Sequence, residues 1–266
     1  MLFLLVFGVL QVAMFGAFAA PATWLMARTG QRIRIDEILA LAAALGATAL
    51  MLRWVERRPW SDVGLDVGAA RPPLIGVGWV LGFVAIGASC AALLLVGWLR
   101  IAPADPGSSL GAAVRLTVFL VPAALSEEVL CRGYLLTVLR DRMGVRAAVG
   151  ATSAVFGALH VTNPGWTVAS LTVVAMAGVF LAVVRLAYDS LYAAWAAHLA
   201  WNWVMAVPLH APVSGLRLEA PDYRTVSAGP QWLTGGAWGP EGGLAAVLGM
   251  LGCLTYLYAR HRREES

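Results

Sequence analysis

Eight apolar stretches divided by shorter polar breaks run along the chain, at residues 3–27, 36–53, 73–99, 112–139, 146–161, 167–186, 190–208 and 243–259. A helix needs roughly 20 apolar residues to cross the hydrocarbon of a bilayer, and each stretch approaches or passes that length. Ten-residue segments of alternating polarity, the mark of a barrel strand, are missing, so the backbone has to satisfy its hydrogen bonds within helices. The pattern predicts an all-α, polytopic membrane helix bundle of about eight transmembrane helices, a single membrane domain over 1–266. Residues 17–20 imitate a cleavage site for a leader, but no basic segment precedes Leu2 and the apolar run continues to Met26. That first stretch is expected to be an uncleaved anchor. Two breaks are more than tight turns. Residues 54–72 read as a short loop anchored at the interface by Trp54 and Trp60, and residues 209–242, dense in Pro and Gly, as an extracytoplasmic loop.

Composition agrees with this pattern. Of 266 residues, 60% are hydrophobic and only 13% charged, about half the charge of a soluble domain, and the mean hydropathy is +0.75. Disorder and a disulfide scaffold are excluded, since Cys90, Cys131 and Cys253 stand far apart in apolar runs and read as buried thiols. The net charge of +4 comes from 19 basic residues, all arginine. They lie between apolar stretches rather than along one stripe, which argues for topology signals and against nucleic acid. With alternate breaks facing alternate sides, eleven arginines, at 53–71, 140–146, 185 and 260–263, fall on one side. Seven fall on the other: Arg28, Arg32, Arg34, Arg100, Arg115, Arg217 and Arg224. The positive-inside rule then gives a multi-pass protein of the cell membrane with both termini in the cytoplasm.

The informative residues are the ionisable ones within the spans, because each costs on the order of 3 kcal/mol at mid-bilayer. The fourth stretch holds Glu127, Glu128 and Arg132, the fifth His160, and the seventh His198 with Asn202 one turn on. Glu128 and Arg132 are four apart and share a helix face, as do His198 and Asn202. Glu127 projects about 100° away from its neighbour, so one carboxylate can be neutralised while the other faces a cavity. Glu127 and His160 stand at equal offsets from the turn at Met143 and Gly144, which predicts equal depth in a helical hairpin. His198 follows the Ser190 turn on the same side. The spacing therefore predicts a cluster of one carboxylate and two imidazoles in the half of the membrane nearer the cytoplasm. Phe156 reads as packing beside His160, and His210 and His261 as surface residues.

Glu127-Glu128-x-x-x-Arg132, Phe156-x-x-x-His160 and His198-x-x-x-Asn202 resemble the three motifs of the CAAX protease and bacteriocin-processing family of intramembrane proteases. That family includes the type II CAAX prenyl endopeptidases and the abortive-infection proteins. The resemblance covers 112–208, which it marks as the catalytic core helices, and extends to the Ser190-Leu191-Tyr192 and Gly239-Pro240-Glu241-Gly242-Gly243 strings. It implies an endopeptidase acting on a membrane-embedded or lipidated peptide. Glu127 would be the base for a water also held by His160, His198 and Asn202 the donors to the oxyanion, and Glu128 and Arg132 the charge balance, with Glu128 as the alternative base. Members have been described both as metalloproteases and as glutamate-dependent enzymes, so a divalent ion such as zinc on Glu127, His160 and His198 is the competing form. The metal-free form is placed ahead because no His-Glu-x-x-His pair lies on one helix.

Each polar group has an ordinary reading as well. A lone Glu128–Arg132 pair is more often structural than catalytic, and single histidines or an asparagine in a span often serve as interhelical hydrogen-bonding groups. Their conjunction points to a site. The competing functions are a transporter or proton relay, which also uses intramembrane Glu, His and Arg, and a catalytically idle immunity or scaffold protein of the same family.

Overall fold

All eight apolar stretches are helical, and the caps show why the helices begin and end where they do. In the computed structural model, which describes residues 2–29, 35–218 and 221–264, α1 spans Leu2–Thr29 and α2 spans Asp36–Leu50, with one more π-helical turn over Met51–Glu56. Arg32 and Arg34 of the orientation count lie outside the described residues. Helix α3 (Pro72–Leu95) starts on two prolines, whose missing N–H groups cost nothing in a first turn. Strand β1 is Leu99–Pro103. Helix α4 (Ser109–Glu128) is capped by the Ser108 side chain, passes without a break through a π-helical segment, Val129–Leu135, and continues as α5 (Leu136–Met143). At Gly144, φ of 81° reverses the chain into α6 (Val145–Leu159). Thr167 and Ser170 form a reciprocal capping box at the start of α7 (Val168–Tyr188), and the Ser190 hydroxyl caps α8 (Leu191–Ala206). Strand β2 (Tyr223–Ser227), a single turn α9 (Gln231–Thr234) and α10 (Leu244–Glu264) complete the chain.

Among the described residues, six helical segments are long and apolar enough to cross a membrane: Phe3–Trp24, Asp36–Glu56, Pro72–Leu95, Ser109–Met143, Val145–Thr162 and Val168–Tyr188. The chain is an all-α membrane bundle. The expected seventh and eighth spans also form helices but do not reach that standard. Helix α8 has 16 residues, about 24 Å at 1.5 Å per residue, and α10 runs into Arg260, His261, Arg262 and Arg263. Shortness suits the position of α8, because its residues from Ala196 to Trp201 are all buried in the middle of the bundle.

Lipid offers helices no hydrophobic reason to associate, so close backbone contact has to hold them together. Helices α3 and α8 touch in this way. A Cβ added at Gly78 would stand 2.1 Å from the carbonyl oxygen of Ala193, and one at Gly82 would stand 1.9 Å from that of Ala197. A Cβ added at Gly249 of α10 would likewise stand 1.9 Å from the carbonyl oxygen of Ala85 in α3, and beside it the Ser89 hydroxyl donates to the Ala245 carbonyl at 2.8 Å. The Trp195 and Trp203 indoles of α8 donate to Val121 O (3.1 Å) and Thr117 Oγ1 (3.0 Å) of α4. Some tryptophans therefore join helices instead of forming an interfacial belt.

The two ends of the bundle are closed differently. At the arginine-rich end, Arg58 pairs with Asp141, Arg142 pairs with Glu56 at 3.0 Å, and the Ser190 hydroxyl donates to Ala69 O at 2.6 Å. Arg142 also lies 3.7 Å over the Phe3 ring, and Arg260 donates to the Tyr188 hydroxyl at 2.9 Å, so α1 begins and α10 ends at this face. At the opposite end β1 and β2 pair antiparallel, Leu99 with Ser227 through Pro103 with Tyr223. Asp222 locks this two-stranded sheet to the start of α4 by accepting from the Ser109 hydroxyl and the Gly107 N–H, contacts that hold its carboxyl below the usual carboxylate range. His210, expected at the surface, is half-buried here. It stacks on Tyr223 at 4.1 Å, and its Nδ1 donates to the Tyr223 carbonyl at 2.9 Å.

Gly82→Val is expected to push α8 away from α3 and to lower the melting temperature in detergent, because the obstructing atom is backbone and cannot rotate aside. Gly76→Val, at a position where an added Cβ meets nothing within 4 Å, is the matched control. Equal melting temperatures for the two variants would refute the close-contact account.

Candidate active site

The two adjacent glutamates have opposite surroundings. Glu128 is fully buried, and its Oε1 accepts from Arg132 Nη1 at 2.8 Å and from His198 Nδ1 at 3.0 Å. Arg132, equally buried, also donates from Nη2 to the Gly178 carbonyl of α7 at 3.2 Å. The ion pair anticipated from the spacing is thus formed, and it joins α4, α7 and α8. An oxygen already paired with a guanidinium acts as acceptor, so His198 donates through Nδ1 and directs Nε2 elsewhere. That Nε2 faces Glu127 Oε2 at 3.8 Å, longer than a hydrogen bond. The Glu127 side chain is 34% exposed and lines a cavity between α1, α2 and α4.

His160 caps the end of α6, where the chain leaves the α-helix for one 3₁₀ turn. Its Nδ1 lies 2.8 Å from the Phe156 carbonyl. A carbonyl only accepts, so Nδ1 carries the hydrogen and Nε2 is the free nitrogen. Phe156 organises the cluster more than packing alone would require. Its ring carries the Arg132 guanidinium at 4.1 Å and meets His160 and His198 edge-on at 5.0 and 5.7 Å.

His160, His198 and Asn202 line one cavity of about 20 Å³, room for a single water. Glu127 is not among its lining residues. The structure therefore places Glu127 and His160 on different cavities, joined through His198, instead of at one point.

The segment 209–242 was expected to be an outer loop, yet it roofs the smaller cavity with Ser214 and Glu241. Glu241 is buried and accepts from the Trp201 indole at 2.8 Å, from the Ser214 hydroxyl at 2.8 Å and from the Ser214 N–H. Asn163, three residues past His160, donates to the Ser214 carbonyl at 2.9 Å. The smaller cavity is thus roofed from the end opposite the arginine-rich one. Glu241 entered from sequence only within the 239–243 string, and Ser214 and Trp201 did not enter at all. A glutamate within a polar, glycine-rich stretch gives no burial signal, and only the position of Trp201 beside Asn202 hinted at a partner.

Both histidines tie Nδ1 to an oxygen and leave Nε2 free, as metal-ligating imidazoles commonly do. Among the described residues, however, no three His, Cys, Asp or Glu side chains converge closely enough to hold an ion. Glu127, His160 and His198 as arranged do not fit a zinc site, and the chemistry below is derived from the chain's own groups.

Arg132→Gln leaves Glu128 buried without its countercharge and is expected to destabilise the protein by about 3–5 kcal/mol, read from thermal unfolding in detergent. Glu241→Gln, which mismatches one donor at Trp201 or Ser214, is expected to cost about 1–3 kcal/mol. A loss below about 1 kcal/mol for Arg132→Gln would mean that the network does not hold the three helices.

No curated protein and no solved structure matches the chain. Residues 109–204, from the first turn of α4 to near the end of α8 and including Glu127, Glu128, Arg132, His160, His198 and Asn202, match the family model described as Type II CAAX prenyl endopeptidase Rce1-like.

Proposed function

We propose that the protein is an intramembrane endopeptidase that hydrolyses a peptide bond of a membrane-associated or lipidated, CAAX-like peptide. The carrying observation is the division of labour between adjacent carboxylates. Glu128 is neutralised by Arg132 and bound to His198, while Glu127 has one oxygen 3.8 Å from His198 Nε2 and lines a cavity. This contrast supports Glu127 as the general base and Glu128 as the group that orients His198. Glu127 takes a proton from water as the water oxygen attacks the scissile carbonyl carbon. The oxyanion forms beside Asn202 and His198, which donate to it, His198 as the imidazolium that keeps its Nδ1 hydrogen on Glu128 and carries a second on Nε2, and His160 Nε2 accepts from the water once the seated substrate brings Glu127 toward His198. Collapse of the intermediate breaks the C–N bond, and the proton on Glu127 passes to the departing amine. The gap between Glu127 and His198 closes when substrate seats, as catalytic contacts in unliganded sites commonly do.

The arginine-rich end, where α1 starts and α10 finishes, faces the cytoplasm in this proposal, following the positive-inside rule. The reaction is written without a metal, so incubation with chelator is expected to leave activity unchanged.

Glu127→Gln is expected to reduce peptide processing by about 10²–10⁴-fold, and His160→Ala and His198→Ala to abolish it, at matched membrane levels. Comparing membrane peptides from cells carrying wild-type or Glu127→Gln protein gives the readout, with the substrate accumulating in the variant. Wild-type processing in all three variants would defeat the protease reading, and loss of activity with chelator followed by recovery with zinc would replace the metal-free form.

A further inference from the structure

The larger cavity beside Glu127 has a volume of about 390 Å³, within the usual range of ligand sites. Its walls include Gln11 and Phe15 of α1, Ala43 and Ala44 of α2, and Glu127 and Leu130 from α4 and the segment that follows it. Val12, on its rim, is 76% exposed, so the cleft opens toward lipid. Gln11 interrupts the apolar run of α1, and the helix turns it inward. It lies one turn beyond Phe7, which is buried and meets the Tyr134 ring at a tilt, 4.6 Å between centroids. Residues four apart share a face, so Gln11 is presented to the same long helix that carries Glu127.

Two buried polar atoms on these walls, Gln11 Nε2 and Glu127 Oε2, have no hydrogen-bond partner among the described residues. A helix passing through lipid has every reason to carry leucine at such a position, since no water there compensates an amide. An unpaired amide donor on the wall of an apolar cleft is the complement of a peptide main-chain carbonyl. The alanines of α2 leave room for that backbone to approach. Among the described residues the walls carry no arginine, which suits a neutral stretch of peptide.

We propose that this cleft holds a neutral, apolar, extended segment of the substrate, with Gln11 as a substrate-binding residue whose amide donates to a main-chain carbonyl next to the bond addressed by Glu127. The inference rests on the endopeptidase reading and adds to it a binding residue outside the stretch matched by the family model.

The test uses the peptide that accumulates in Glu127→Gln membranes, synthesised as an internally quenched probe with either a free or an amidated C-terminus. Protein reconstituted in phosphatidylcholine vesicles is assayed as wild type, Gln11→Leu and Gln11→Asn. Gln11→Leu is expected to raise KM about tenfold, the equivalent of one hydrogen bond, with kcat within about twofold and an undiminished melting temperature. Gln11→Asn should recover part of the loss, and the amidated probe should be cut at least as well as the free acid. An unchanged KM in Gln11→Leu, or cleavage that requires the free carboxylate, overturns this inference while leaving the protease intact. If no peptide accumulates and the wild type cuts nothing, the endopeptidase reading falls and this inference falls with it.

Discussion

A charge inside a membrane has to be matched by another, and the Glu128–Arg132 pair sets most of the site by that requirement. Neither residue has contact with solvent, so each depends on the other and on whatever donors and acceptors the neighbouring helices supply. Gly178 of α7 supplies a carbonyl and His198 of α8 supplies an N–H. The pair therefore sets the spacing of the central helices and the tautomer of an imidazole together. Phe156 closes the arrangement from α6 by placing an aromatic face under the guanidinium.

The separation of the two glutamates follows from the same pair. Adjacent positions on a helix diverge by about 100°, so once Glu128 turns inward to Arg132, Glu127 must face another helix boundary. That boundary is the cleft against α1 and α2, where the side chain keeps partial access. Identical carboxylates thus become a buried countercharge and an accessible group through their surroundings alone.

Much of this was legible from the chain. Apolar runs of span length gave the bundle, and the four-residue spacings of Glu128 with Arg132 and of His198 with Asn202 gave shared faces that the structure realises. What escaped depends on contacts distant in sequence. Gly78 and Gly82 look like any glycines of an apolar run until Ala193 and Ala197 are laid against them. Glu241 sits in a stretch whose polarity suggests solvent, and only its three donors explain its burial. Equal offsets from the Gly144 turn mean equal depth only for two regular helices, and neither the π-helical segment at Val129–Leu135 nor the end of α6 at Leu159 is written in hydropathy.

The helix that carries Glu127 runs 35 residues from Ser109 to Met143, about 52 Å at 1.5 Å per residue, against a hydrocarbon layer of about 30 Å. Its partner across the Glu128–His198 contact, α8, is less than half as long. The long helix therefore exceeds the bilayer, while α8, enclosed by protein, is fastened to it near the midpoints of both. Tilting relieves the excess length. Bilayer thickness consequently acts as a mechanical input to the geometry between Glu127 and His198, set by lipid composition rather than by the chain.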